Sequence, residues 1–172
     1  GKIELNVRSG EQTEVDGVKV TYFRRLTKDH THFSPALLLA LRRKIKALYP
    51  QAQNFNPQLI IHIHAWWNLV SVFSCVIAKW YNIPVVLTPR GMLTAYTTKN
   101  RNSLSKKIIH NILGKSLLKY CHIHVTSDKE KIDVLAITTP KSITVIPNLV
   151  ELADYSFIQP ETKRSSTFQL IY

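Results

Sequence analysis

Apolar and polar positions alternate along this chain with a period that changes, and the changes mark its elements. Residues 11–15 and 18–23 alternate on either side of Asp16-Gly17, a dipeptide suited to the left-handed turn of a hairpin. From Pro35 the period lengthens, and Leu37, Leu41, Ile45 and Leu48 recur at helical spacing. Ser34 is placed to cap this helix, Pro35 suits its first position, and Pro50 predicts its end. A β-branched run then predicts a strand over 59–64, followed by a helix over 69–81 and a strand over 85–88. A polar loop over 89–102 leads to a helix over about 103–119 and a strand over 122–126. Ser127-Asp128-Lys129-Glu130 has the capping-box pattern and opens a helix to about residue 137, before a last strand over 143–146. Strands alternating with helices predict an α/β domain: a parallel sheet with right-handed crossovers and flanking helices.

Both ends break this rhythm. Residues 149–166 read as a linker, and Thr167-Phe168-Gln169-Leu170-Ile171-Tyr172 reads as a buried strand. A doubly wound domain normally opens with a buried strand and a Gly-rich turn. The five glycines (Gly1, Gly10, Gly17, Gly91 and Gly114) form no GxG. The expectation is an incomplete Rossmann-like domain over 1–148 that lacks its first strand, an interdomain linker over 149–166, and the start of a second domain over 167–172.

Charge adds a second layer. The formal net charge is +12, and it is confined to the middle of the chain. From His30 to Ser127 there are twelve Lys and Arg and no Asp or Glu, whereas elsewhere basic and acidic residues cancel. Such a field favours anionic partners: phosphates, nucleic acid or an acidic membrane surface. Cys75 and Cys121 lie in apolar runs without a CxxC and read as reduced core thiols of a cytosolic protein. The longest apolar stretch, residues 69–78, is too short to span a bilayer.

Ligands of parallel sheets bind outside the carboxyl ends of the strands, so the residues there carry the candidate chemistry. His62 and His64 alternate on one strand and point to the same face. The pair could ligate a metal, but no carboxylate lies near in sequence to complete the set. The spacing recurs at His122 and His124. His64, at the strand end beside Trp66 and Trp67, is placed to hydrogen-bond a hydroxyl or a developing charge. The two adjacent tryptophans are not expected to be buried alike. At the next strand end, Arg90 offers a planar fork for phosphate or carboxylate, and Gly91 permits close approach of a ligand. On the helix over 103–119, Lys107, Asn111, Lys115 and Lys119 form a stripe at i, i+4 spacing. It is either a solvated face or one that lies on anionic headgroups. The chain has no Asp-x-Asp pair, no P-loop and no nucleophile in a recognised setting.

In their order these segments resemble one family. Pro57-Gln58-Leu59-Ile60-Ile61-His62-Ile63-His64-Ala65-Trp66-Trp67-Asn68 resembles the segment PDLVHIHGLWN of glycosyltransferases of the group 1, family 4 type. Ile83-Pro84-Val85-Val86-Leu87-Thr88-Pro89-Arg90-Gly91-Met92-Leu93 resembles IPYVVSPRGML. His124-Val125-Thr126-Ser127-Asp128-Lys129-Glu130 resembles HATSEAE, and Val145-Ile146-Pro147-Asn148-Leu149-Val150-Glu151 resembles VIPNGVD. Segments around Val15-Asp16-Gly17 and Ser34-Pro35 resemble those that precede the histidine strand. Leu149 and Glu151 depart from the Gly and Asp that usually follow Asn148.

The resemblance implies a GT-B architecture, of which this chain is the amino-terminal, acceptor-side domain. It implies a retaining, metal-independent transfer with no cofactor of its own. The nucleotide-diphosphate sugar donor would be held mainly by a carboxyl-terminal domain. It maps His64 to the active-site histidine, Trp66, Trp67, Arg90, Gly91 and Met92 to the acceptor side, and Pro147 and Asn148 to the hinge. The expected acceptor is a glycan or lipid-linked glycan in bacterial surface polysaccharide or glycolipid assembly. The expected location is cytoplasmic, with Lys107, Lys115 and Lys119 against the inner face of the membrane. The fragment is expected to be inactive alone. The alternative from the residues is a non-catalytic basic α/β module that binds nucleic acid or an anionic surface, although no nucleic-acid motif or interleaved stacking aromatics support the former.

Overall fold

The computed structural model describes residues 7–27, 32–52, 59–94 and 114–149. Among them β1 (Gln12–Val15) and β2 (Val18–Thr21) form the predicted antiparallel hairpin. Asp16 and Gly17 both take positive φ, 50° and 77°, as a two-residue turn between right-twisted strands requires. The hairpin stands apart from the main sheet.

Helix α1 (Pro35–Ala52) starts where Pro35 predicted. The Ser34 hydroxyl donates to the Arg24 carbonyl at 2.8 Å, which ties the exit of the hairpin to the helix start. The expected stop at Pro50 does not hold, because the helix runs through it to Ala52. A proline this close to a carboxyl-terminal end removes one backbone donor without breaking a long helix.

A four-stranded sheet follows, formed by β3 (Ile61–His64), β4 (Val85–Thr88), β5 (His122–Val125) and β6 (Ser142–Val145). The strands are parallel and pair in sequence order, β3-β4-β5-β6. Between them lie α2 (Leu69–Trp80), α3 (Lys115–Tyr120) and α4 (Asp128–Ile137). The architecture is the expected α/β, Rossmann-like one. Asn68 caps α2, its side chain accepting from the Ser71 N–H at 2.8 Å. Only the end of the helix expected over 103–119 falls within the described residues; Lys107, and all but the first position of the expected linker and last strand, fall outside them.

Register gives the sheet two unlike faces. Ile63, Val85, Leu87, Ile123 and Val125 point to one side and are buried with Val72, Cys75 and Ala78 of α2 and Leu117 and Leu118 of α3. Each such fully buried aliphatic side chain contributes about 1.5–3 kcal/mol. The other side carries His62, His64, Thr88, His122, His124, Ser142 and Thr144, with Val86 the apolar exception in β4. Parallel strands usually read as apolar on both faces, so this polar face is the departure that matters for chemistry.

Candidate active site

The four parallel strands end on the same edge, and the turns that follow β3 and β4 meet there. The first is His64-Ala65-Trp66. Ala65 takes φ 70°, a left-handed conformation that costs a residue with a Cβ about 1–2 kcal/mol. Its N–H donates to the Thr88 carbonyl at 2.9 Å, extending the β3–β4 ladder by one bond. The turn sends Trp66 into the core, where it is 1% exposed. Trp66 therefore does not make the expected acceptor contact: its indole is buried in the core and offers no ligand surface. Trp67 is half-buried, and its Nε1–H donates to the Met92 carbonyl, linking the first turn to the second. The tryptophans are buried unlike one another, as their adjacency required.

The second turn is Pro89-Arg90-Gly91-Met92. Arg90 and Gly91 both take positive φ, 50° and 72°. What holds them there is Glu130 of α4, which is 6% exposed. One carboxylate oxygen accepts the Gly91 N–H at 2.6 Å; the other accepts the Thr126 N–H at 2.9 Å and its hydroxyl at 3.0 Å. The capping box thus forms by half. Ser127 caps α4, accepting from the Glu130 N–H at 3.2 Å, but the Glu130 side chain goes to the Arg90–Gly91 loop instead of back to Ser127. A carboxylate therefore does reach this edge, from beyond the acid-free stretch. All its described bonds are to the scaffold.

The polar face supplies a hydrogen-bonded line across three strands. His62 Nε2 lies 2.8 Å from Thr88 Oγ1, which lies 3.2 Å from His124 Nδ1. His124 Nε2 lies 3.0 Å from the Ile146 carbonyl. A carbonyl only accepts, so in the neutral ring His124 carries its proton on Nε2 and accepts at Nδ1. The buried Thr88 hydroxyl then donates to His124 and accepts from His62 Nε2–H. Among the described residues, His62 Nδ1 is left as an open acceptor. His62 remains exposed, but partial desolvation of its ring holds it below the ordinary histidine value, and the neighbouring His64, His124 and Arg90 add to this.

His64 stands beside it, exposed, with ring centroids 4.3 Å apart. Its imidazole has no hydrogen-bond partner among the described residues. Arg90 is likewise exposed, and its charge reaches His62. Among the described residues the site thus presents one unengaged imidazole and one guanidinium above a hydrogen-bonded support. Among the described residues no group of three His, Cys, Asp or Glu is placed to hold a metal. Pro147 and Asn148 are exposed just past β6, next to the Ile146 carbonyl that ends the line. Lys115 and Lys119 lie on α3, away from this edge, and are exposed.

Glu130, Thr88 and His124 are the residues that sequence reasoning passed over. Glu130 was accounted for by its capping-box position, and the roles of Thr88 and His124 depend on strand register. Cys75 and Cys121 are buried with their sulfurs 3.9 Å apart, as reduced thiols. Hydrogen bonding to Cys121, then burial, pushes the Cys75 thiol far above its ordinary value. No helix among the described residues is long and apolar enough to cross a membrane.

The family model described as Glycosyltransferase Family 4 matches residues 5–154. Neither the curated proteins nor the solved structures gave a match.

Proposed function

The chain belongs to Glycosyltransferase Family 4, and from that premise we propose that it forms the acceptor side of a retaining, sugar-nucleotide-dependent glycosyltransferase of GT-B architecture. The observation that carries the reading is His64. It is an exposed imidazole without a partner among the described residues, at the carboxyl end of a parallel strand, beside an Arg90–Gly91 loop that is itself pinned. Glycosyl transfer passes through an oxocarbenium-like state while a diphosphate departs. Fixed positive groups and dipoles stabilise that separation of charge without reorganising.

In this reading His64 hydrogen-bonds the reacting sugar or the acceptor hydroxyl. His62, tethered to Thr88, packs beside it and limits the orientations of its ring. Arg90 meets an anionic group of the acceptor or donor, and Trp67 and Met92 wall the acceptor side. Pro147 and Asn148 serve as the hinge to a second domain that holds most of the nucleotide sugar. The acceptor is a glycan or lipid-linked glycan of a surface polysaccharide or glycolipid, met at the cytoplasmic face of a membrane. The 172-residue chain has no turnover alone.

The test is transfer of labelled sugar from a panel of nucleotide-diphosphate sugars to lipid-linked acceptors by the complete protein. His64→Ala should lower kcat by at least about a hundredfold. Full activity of that variant, or turnover by residues 1–172 alone, would refute the assignment.

A further inference from the structure

Away from the sheet edge, the helical layer carries a surface that sugar transfer does not use. Helix α2 touches both α1 and α3. Between α1 and α2 lies an open groove with a cavity of about 310 Å³, walled by Leu38, Leu39, Val76, Ile77 and Trp80. Arg42 completes the lining and is steadied by its Nε–H, which donates to the Tyr81 hydroxyl at 3.2 Å. The apolar residues here are unusually open: Trp80 is 81% exposed and Leu39 54%.

Among the described residues, the charges around the groove are all of one sign. Helical spacing puts Leu39, Arg42, Arg43 and Lys46 on one exposed face of α1. Lys79 on α2 and Lys115 and Lys119 on α3 are exposed beside it. None of these three helices holds an acidic residue. A merely solvated face mixes both signs and keeps large apolar side chains few. A nucleic-acid face would use stacking aromatics along the basic track, and here the lone exposed tryptophan sits over an apolar groove. An indole at the rim of an apolar groove, ringed by cations, is the pattern that suits a bilayer interface: ring and Leu side chain among the upper acyl carbons, cations level with the phosphates.

We propose that the outer face of α1 and α2 docks on an anionic phospholipid bilayer, with Trp80 and Leu39 entering the interface and Arg42, Arg43 and Lys46 meeting the headgroups. The inference rests on no step of sugar transfer. It also moves the centre of membrane contact away from the lysine stripe expected over 107–119. Lys115 and Lys119 add positive potential there, but the apolar anchor is on α2.

The test uses the full chain with vesicles of phosphatidylcholine, alone or with about a third phosphatidylglycerol, read by co-sedimentation. Binding should require the anionic lipid and weaken with salt. Trp80→Ala should lower the partition coefficient by about tenfold or more. Arg43→Gln with Lys46→Gln should lower it by roughly 25-fold, about fivefold for each cation. These side chains are exposed, so the thermal midpoints of the variants should match that of the parent. No binding to anionic vesicles would overturn the proposal. So would binding that Trp80→Ala leaves unchanged, or a preference for duplex DNA or RNA over the vesicles.

Discussion

Glu130→Gln removes one charge and almost no volume, and it should loosen the candidate site more than any surface change of its size. The carboxylate accepts three hydrogen bonds, from Gly91 N–H, Thr126 N–H and the Thr126 hydroxyl. Bonds to a charged acceptor contribute about 1.5–3 kcal/mol each, and an orphaned buried donor costs about 1–3 kcal/mol. Gln retains one oxygen. If that oxygen keeps Thr126, the amide NH₂ faces the Gly91 N–H, donor against donor, across a gap of 2.6 Å. One charge-assisted bond is lost and one N–H loses its acceptor, a net cost of about 2–4 kcal/mol. Glu130→Ala frees both backbone donors and should cost about 3–5 kcal/mol. Urea unfolding reads the global part as a drop in midpoint at constant slope. Amide exchange reads the local part: Gly91 should lose protection by at least about thirtyfold, beyond the change at Leu87 in the sheet core. Stability within about 0.5 kcal/mol of the parent, with Gly91 exchange unchanged, would refute the claim that Glu130 holds the loop.

Three further outcomes are expected. Ala65→Gly should stabilise the protein by about 0.5–1 kcal/mol, because φ of 70° costs Ala its Cβ clash while Gly takes it freely; a lower urea midpoint would show that the turn is not strained. The folded-state pKa of His62 lies below the ordinary 6.5, so between the two values the unfolded chain binds more protons. Stability should therefore fall as pH drops below about 6.5; His62→Gln should flatten this slope in pH-dependent melting, and an identical slope would reject the linkage. Cys75 and Cys121 are fully buried, so their labelling by a thiol reagent should track global unfolding; fast labelling in native buffer would contradict the packing.

The hydrophobic rhythm of the chain made most of the fold legible. Residues 85–88 form a strand with the predicted bounds, and α2 differs from expectation by one residue, because Asn68 and the apolar run after it act locally. Pro50 misled because its usual effect assumes a helix interior, and here it lies in the last turn. At the site, His64 and Arg90 could be picked out from strand ends alone. Trp66 could not be told from Trp67 until the left-handed turn at Ala65 showed which indole goes inward. Thr88, His124 and Glu130 were hidden for another reason. The partners that tie them across the sheet lie 26 to 39 positions away, and strand register and helix docking decide such contacts. Glu130 had a complete local explanation as a cap, and that explanation concealed its distant role.

The Gly91–Glu130 bond also dates the site in the life of the chain. Its two partners are 39 residues apart, with α3, β5 and the start of α4 between them. Closing that span costs loop entropy, which docking of α4 against β5 and β6 must first offset. During synthesis, Arg90 leaves the ribosome well before the residue that shapes its loop. A nascent chain stalled short of Glu130 can build strand, turn and histidines, yet it lacks the carboxylate that holds the Gly91 N–H. Competence at this edge is thus a late event of folding, reached only once the far half of the sheet is in place.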